Sequence, residues 1–146
     1  MEVVRSLMRL ERYAVDTLHF ATNSNSMETS EMEFRLVPSF TRKIRKVTDH
    51  VFDLGLSVNF ETEEKNPLPF DIEVSVRGRF ILESIDDEEK HIKTSGVAIL
   101  FPYLRSTLSM LMSLASIPPI TLPTINVAAM FEKEENEDTE KLQAQR

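Results

Sequence analysis

The chain has 146 residues, of which 41% are hydrophobic and 28% are charged, and its formal charge is -7 at pH 7. This length suits about one domain with a core of its own, and the acidic charge argues against a nucleic-acid partner. The lack of cysteine excludes disulfides, iron–sulfur clusters and thiolate zinc sites, and it favours a reducing compartment such as the cytoplasm.

A first strand is predicted between about positions 10 and 20, but its apolar residues change phase. Tyr13 and Val15 share one parity, whereas Leu18 and Phe20 share the other. Successive side chains of a strand point to opposite faces, so one face stays apolar only if a residue is inserted between these pairs. The pattern therefore predicts a β-bulge near Asp16. Charged residues interrupt the apolar ones before this strand, so no secretory signal is predicted.

A second strand is suggested by alternating apolar residues from Met32 to Phe40, with Pro38 inside the run. Proline cannot donate to a ladder, so this strand needs an edge, a bulge or a missing bond. A basic cluster follows, which alternation would divide between two faces, and this is poor geometry for a nucleic-acid stripe. We expect it to form a solvated edge or turn. The cluster consists of Arg42, Lys43, Arg45 and Lys46.

The two clearest strands lie at about 52–60 and 70–82, where most even positions are apolar and most odd positions are polar or charged. One face of each strand is thus suited to a core and the other to water. The intervening ETEEKNPLP supplies turn residues, so the strands are predicted to be antiparallel neighbours. Four strands without βαβ alternation predict an α+β fold with helices on one face of an antiparallel sheet.

Residues 94–131 contain one charged side chain, Arg105, and so raise the question of a membrane span. A span needs roughly 20 apolar residues, whereas the prolines leave only about 15 between them. The prolines stand at 102, 118, 119 and 123. We therefore predict a buried or partner-facing helix pair and no membrane insertion.

The first helix is predicted from Pro102, because proline is favoured in a first turn and leucines follow at helical spacing. A second stripe is formed by Ser106, Ser109, Ser113 and Ser116. Small side chains allow close approach of another backbone, so the stripe is either a subunit contact or a solvent-facing polar face. The IPPITLP segment at 117–123 is predicted to be a stiff apolar loop, and a second helix is predicted from about Thr124.

No catalytic or cofactor motif is present. Three histidines, His19, His50 and His91, show no metal-binding spacing. Asp49 and Asp53 could join His50 at a metal, but solvated side chains are the favoured interpretation, and no metal is predicted. Three glycines cannot build a glycine-rich phosphate loop. The methionines and leucines at 110–114 favour either a promiscuous polypeptide site or an ordinary core or dimer interface.

Three runs in the C-terminal half keep a characteristic order and spacing. They are Gly96-Val-Ala-Ile-Leu-Phe-Pro-Tyr-Leu-Arg105, Pro118-Pro119-Ile-Thr-Leu-Pro123 and Ile125-Asn126-Val-Ala-Ala-Met-Phe131. Together they closely resemble the C-terminal half of the SecB protein-export chaperones. Weaker similarity extends upstream through 49–58 and 70–74 to the strand that contains Tyr13.

The resemblance implies a SecB-like fold, in which a four-stranded antiparallel sheet is followed by two helices joined by a proline-rich loop. It implies one SecB-like domain at 1–131 and a dimer of dimers with the first helix at subunit contacts. That interface would use Ser106, Ser109 and Ser113. The run of acids after Phe131 cannot be buried, so it predicts an acidic and partly disordered tail at 132–146. The family's function implies a cytoplasmic, ATP-independent holdase that needs no cofactor.

The resemblance also implies two binding sites. Clients would lie in a groove lined by Met32, Phe34, Leu111, Leu114, Ile117, Ile120 and Leu122. A SecA-type translocation motor would dock on Asp16 and Glu73, which stand at the matching acidic positions. The chain departs from the family in lacking a tryptophan near position 32 and a glutamate shortly after Asp16.

Other functions stay open at this point. SecB-like proteins also serve as dedicated chaperones of antitoxins, which would change the client and keep the fold. A structural or regulatory oligomer with a permanently buried loop is a third possibility, and an enzyme is a distant fourth.

Overall fold

The computed structural model describes residues 7–23, 35–60, 62–83 and 86–115. Four strands come first, and a helical segment follows them, as expected for an α+β chain. The strands are β1 (Met8–Thr22), β2 (Pro38–Thr48), β3 (Val51–Phe60) and β4 (Phe70–Leu82). The helical segment consists of α1 (Glu88–His91), a π-helical turn (Ile92–Gly96) and α2 (Val97–Leu114).

The strands form one antiparallel sheet in the order β1-β4-β3-β2. The predicted pairing of the two clearest strands is confirmed, because β3 and β4 run antiparallel from Val51↔Ile81 to Phe60↔Ile72. Strand β2 pairs with β3 across a tight turn in which His50 has a φ of 65°. Strands β1 and β2 are therefore the two edges of the sheet.

Strand β1 contains the predicted bulge and a second one. Its register against β4 shifts between Val15 and Thr17, at Asp16, and also between Leu10 and Arg12. With these two insertions, 15 residues of β1 span 13 residues of β4. Each bulge reverses the parity, so the apolar residues of β1 stay on one face throughout its length.

Strand β2 begins at Pro38 and continues to Thr48, so the described strand lies further along the chain than the predicted one. Pro38 is the first residue of an edge strand, where a missing donor is tolerated. The basic cluster lies within this strand and is divided between its faces. Arg42 is buried on the helix side, where its Nη1 donates to the carbonyl of Lys93, 2.9 Å away. The expectation of a wholly solvated cluster is therefore wrong for Arg42.

The core lies between the helix and the even-numbered face of β3 and β4. Leu54, Leu56, Val58, Val74 and Val76 are at most 1% exposed. Helix α2 packs on them through Leu100, Leu104, Leu108, Leu111 and Met112. Burying each such side chain contributes roughly 1.5–3 kcal/mol to the free energy of folding. The predicted two-layer arrangement is therefore confirmed for the sheet and the first helix.

The prediction that the helix starts at Pro102 is wrong. The helical segment begins at Glu88, and Pro102 lies inside α2. The signal for this start is the acidic pair Glu88 and Glu89 in the first turn, where negative charge offsets the positive end of the helix dipole. Pro102 costs the helix one backbone donor and does not end it.

Because the helix continues through Pro102, the expectation that this proline interrupts the apolar segment is also wrong. Glu88–Leu114 is long enough and apolar enough to cross a membrane by length and composition, since it contains an 18-residue window with a mean hydropathy of 1.4. One such helix is weak evidence, because the core helix of a soluble protein passes the same test. In this structure the leucines of the helix pack against the sheet.

Several predictions fall outside the described residues. They are the proline-rich loop, the second helix, the acidic tail and the groove residues Met32, Phe34, Ile117, Ile120 and Leu122.

Candidate functional site

An apolar surface lies on the helix side of the sheet, along β1. Val15 and Leu18 pair with the fully buried Val76 and Val74, so they point toward the same side as the core. They are nevertheless 45% and 51% exposed, because α2 packs mainly over β3 and β4 and leaves this edge of the sheet uncovered. Sequence reasoning assigned these residues to the apolar face but could not show that the face extends beyond the helix.

Helix α2 supplies the second wall of this surface. The rings of Tyr13 and Tyr103 are 4.4 Å apart, which puts Tyr103 on the flank of α2 that faces β1. Met110 and Leu114 follow Tyr103 by seven and eleven residues and so share its flank. They are 68% and 79% exposed. We define the apolar surface as Tyr13, Val15, Leu18, Tyr103, Met110 and Leu114.

The serine stripe points away from the sheet. Helical geometry rotates Ser106 and Ser113 by about 60–80° from the Tyr103 flank, on the side opposite the buried leucines. Both are exposed, and Ser109 is half-buried. Ser109, Met110, Ser113 and Leu114 line an apolar depression of about 380 Å³. The described part of the stripe therefore forms an outward ridge of small side chains next to the apolar surface.

Of the predicted groove residues, one described residue lies in the core and another lies on the exposed flank of α2. Leu111 is only 7% exposed and packs in the core, so the sheet already covers it. Leu114, three residues later, lies on the exposed flank. The other five groove residues are outside the described ranges.

The opposite, open face of the sheet carries both predicted docking residues. Glu73 lies opposite His19 and Asn59 at one end, beside Asp71. Asp16 lies in the second bulge, nearer the middle, and its Oδ1 is 3.3 Å from Nη2 of Arg77. The two carboxylates thus share a face but differ in their contacts, because Asp16 has an ion pair and Glu73 has none with any described residue.

Asp53 is a buried carboxylate on the same face. Its Oδ1 accepts from Nε of Arg79 at 2.8 Å, and its Oδ2 accepts from Nη2 of Arg79 and from Nη2 of Arg45, each at 2.9 Å. The hydrogen bonds from Arg79 are the main cause that lowers the pKa of Asp53 from 3.8 to about 2, against the opposing effect of burial. Sequence alternation put Asp53 and Arg79 on polar faces but could not give the register that makes them neighbours.

The idea of a metal at Asp49, His50 and Asp53 finds no supporting geometry. Asp53 is bound by two guanidinium groups, and Nδ1 of His50 contacts Oε1 of Glu88. Within the described ranges, no group of three or more potential ligand residues could hold a metal ion.

Comparison with known proteins identifies relatives over most of the chain. The family model described as preprotein translocase subunit SecB matches residues 9–138. An uncharacterized protein of Methanocaldococcus jannaschii is 41% identical over 80 residues, which cover 53% of this chain and 52% of that protein. The protein-export protein SecB of Burkholderia vietnamiensis is 34% identical over 94 residues, which cover 62% of this chain and 58% of that protein. The matches thus span between half and three-fifths of these curated relatives.

One solved structure has a similar fold. It is the Mycobacterium tuberculosis SecB-like chaperone in complex with a ChAD peptide from the HigA1 antitoxin. The TM-score is 0.66 at 15% identity, over 82% of this chain and 91% of that one. At this identity the likeness concerns the fold alone.

Proposed function

This chain belongs to the SecB family, and on that premise we propose that it is a cytoplasmic chaperone that holds unfolded or secretion-bound polypeptides. It acts without catalysis, ATP or a cofactor. The observation that carries this proposal is the apolar surface between β1 and α2. Several large apolar side chains exposed on one side of a protein are typical of a surface that binds another polypeptide.

The apolar surface suits many weak contacts with varied clients. Leu18 and Val15 present branched side chains on strand β1, whereas Met110 has a flexible side chain that adapts to different shapes. We propose that the predicted groove residues Ile117, Ile120 and Leu122 also contact clients. Leu111 supports this surface from the core.

The direct test is suppression of aggregation of a slow-folding, chemically unfolded substrate. The double variant Val15→Ser/Leu18→Ser should need at least about tenfold more chaperone for the same suppression, because two apolar contacts are lost. Val37→Ser is the matched control, since Val37 is 56% exposed and lies before β2, outside the apolar surface. Equal suppression by the double variant and the control would count against this surface, and no suppression by the wild type would end the holdase proposal.

We extend the proposal to a dimer of dimers in which the serine ridge is a subunit contact. Ser106 and Ser113 are small and point away from the sheet, so a second helix could approach closely. Ser106→Arg/Ser113→Arg should reduce the mass measured by sedimentation velocity, because two bulky charges would meet their own copies. A mass unchanged from that of the wild type would remove the ridge from the interface.

Delivery to a SecA-type motor is proposed at the open face. Glu73 is an exposed acid with no ion pair among the described residues, whereas Asp16 already faces Arg77. Glu73→Lys should weaken motor binding and leave aggregation suppression intact, since the two surfaces lie on opposite faces. Glu64→Lys, in the exposed β3–β4 turn, makes the same charge change elsewhere. Equal motor binding by both variants would argue against the docking site.

A dedicated antitoxin client is the second candidate function. The observation in its favour is the fold shared with a chaperone whose structure holds an antitoxin peptide. Mass spectrometry of polypeptides that co-purify with the chain separates the candidates. One small protein bound in a fixed ratio would support the antitoxin, whereas a broad mixture of precursors would support export.

A further inference from the structure

The open face of the sheet is basic toward one end and acidic at the other. Beyond an end row of Arg9, Ile81 and Val51, one cross-strand row is Arg12, Arg79, Asp53 and Arg45, and the next row is Ala14, Arg77, Gly55 and Lys43. A neutral row of Thr17, Ser75, Ser57 and Thr41 follows. Only beyond it come the acids Glu73 and Asp71. Glu73 of the proposed motor site therefore lies in the acidic half of this face, whereas Asp16 contacts Arg77, and we define the rows of Arg79 and Arg77 as the basic half.

The basic half has more cations than its own carboxylates neutralise. Arg12, Lys43, Arg45, Arg77 and Arg79 supply five positive charges. Asp53 binds Arg79 and Arg45, and Asp16 contacts Arg77. The hydrogen bonds to Asp53 are the main cause that raises the pKa of Arg79, and the charge of Glu11 adds to this effect. Five cations against three carboxylates leave two positive charges on a chain whose formal charge is -7.

Arg12 and Arg77 are the cations best placed to bind something else. Arg12 is exposed and makes no ion pair with any residue in the described ranges. The Arg77 side chain is half exposed and faces a single carboxylate oxygen at 3.3 Å. Both line a depression of about 350 Å³ together with Ala14 and Asp53. At physiological salt, charges more than about 8 Å away are screened, so a bound anion would sense these groups more than the net charge.

The basic half has small residues between its basic side chains, so its surface there is low and flat. Ala14 and Gly55 flank Arg77 in its row, and a methyl group added at Gly55 would meet nothing closer than 3.8 Å. An extended backbone could therefore lie along β4 between the basic side chains. Arg77 and Arg79 are two residues apart on one strand, about 6.6–6.8 Å, which is also the spacing of alternate side chains in an extended peptide.

We infer that the basic half of the open face docks an extended acidic segment of a partner protein, whose alternating carboxylates pair with Arg77, Arg12 and their neighbours. Guanidinium groups favour carboxylates because they donate two parallel hydrogen bonds. A long polyanion such as nucleic acid fits less well, since it would extend beyond the basic half over an acidic protein.

The test uses the full chain and a labelled peptide in which four glutamates alternate with serines. The comparison peptide has the same residues with the four glutamates consecutive. Fluorescence anisotropy should show the alternating peptide binding at least about fivefold more tightly, because all its carboxylates can face one side. Equal affinities would overturn the extended register. Tighter binding of a single-stranded oligonucleotide of the same charge would overturn the choice of partner.

Variants then locate the site. Arg12→Gln/Arg77→Gln should weaken binding of the alternating peptide at least about tenfold. Aggregation suppression should stay unchanged, because both residues lie on the open face and the apolar surface lies on the opposite face. Lys65→Gln/Lys90→Gln removes two exposed charges elsewhere and should have little effect. Equal losses in the two double variants would show a general charge effect and overturn the assignment. Arg79 and Arg45 are left intact because they hold Asp53.

Discussion

The buried carboxylate of Asp53 makes the stability of the sheet depend on pH, and Asp53→Asn isolates that dependence. Its pKa is about 2 in the folded chain and 3.8 ordinarily, chiefly because Arg79 donates to it. A group with a lowered folded pKa stabilises the fold above its unfolded pKa, and this contribution is lost as the pH falls through the folded value. The stabilisation is therefore complete at pH 7 and is lost between about pH 4 and pH 2.

The size of this contribution follows from the pKa difference. One pKa unit corresponds to about 1.4 kcal/mol, so the ionised Asp53 contributes about 2 kcal/mol to the free energy of unfolding at pH 7. At pH 3 Asp53 is mostly protonated in the unfolded chain and mostly ionised in the folded chain, so about 1 kcal/mol of this contribution remains. The advantage of the wild type over Asp53→Asn should therefore narrow by about 1 kcal/mol between these pH values.

Urea unfolding at fixed protomer concentration measures this difference, since stability of an oligomer depends on concentration. Asp71→Asn is the matched control, because Asp71 is an exposed acid on the same face with no ion pair in the described ranges. Its difference from the wild type should be small at both pH values. If the advantage over Asp53→Asn stays constant down to pH 3, the ion pairs with Arg79 and Arg45 do not stabilise the fold as argued.

Two packing predictions use matched pairs. Leu108→Ala should lower the free energy of unfolding by about 2–5 kcal/mol, because Leu108 is 1% exposed and its removal leaves a cavity, whereas Val37→Ala should change it by less than about 0.5 kcal/mol. Gly78→Ala should cost about 1–3 kcal/mol, because its methyl group would lie 2.9 Å from Leu10 Cδ1, whereas Gly55→Ala should be neutral or slightly stabilising. Thermal unfolding monitored by circular dichroism checks all four, and equal costs within either pair would contradict the packing described.

Alternation predicted β3 and β4 well, because one face of each is buried along its whole length. In β1 the change of phase at Asp16 was visible, but the first bulge was not, since Leu10 precedes a run of charged residues. The helix start could not be placed from Pro102, because proline also occurs inside α2, and the acidic first turn at Glu88 and Glu89 marks the true start. Proline at 102 and the acidic pair at 88–89 indicate different helix starts, and the packing of the helix on the sheet favours the earlier one.

The candidate sites were harder to predict, because they depend on contacts between distant positions. Arg79 and Arg45 reach Asp53 across 26 and 8 residues of sequence. Leu111 and Leu114 look alike in sequence, yet the helix buries the first and exposes the second. Resemblance supplied the acidic pair Asp16 and Glu73, but only the sheet register showed that Asp16 faces Arg77.

The two bulges of β1 constrain how this strand can change in length. Losing Asp16 alone, or the residue between Leu10 and Arg12 alone, would remove one bulge, and every other residue of β1 would keep its partner in β4 and its face of the sheet. Losing one of the paired residues would instead exchange the two faces for the side chains beyond it. Single deletions in β1 are therefore tolerated at the two bulges and not at the paired positions, so related chains should differ in length at these two places.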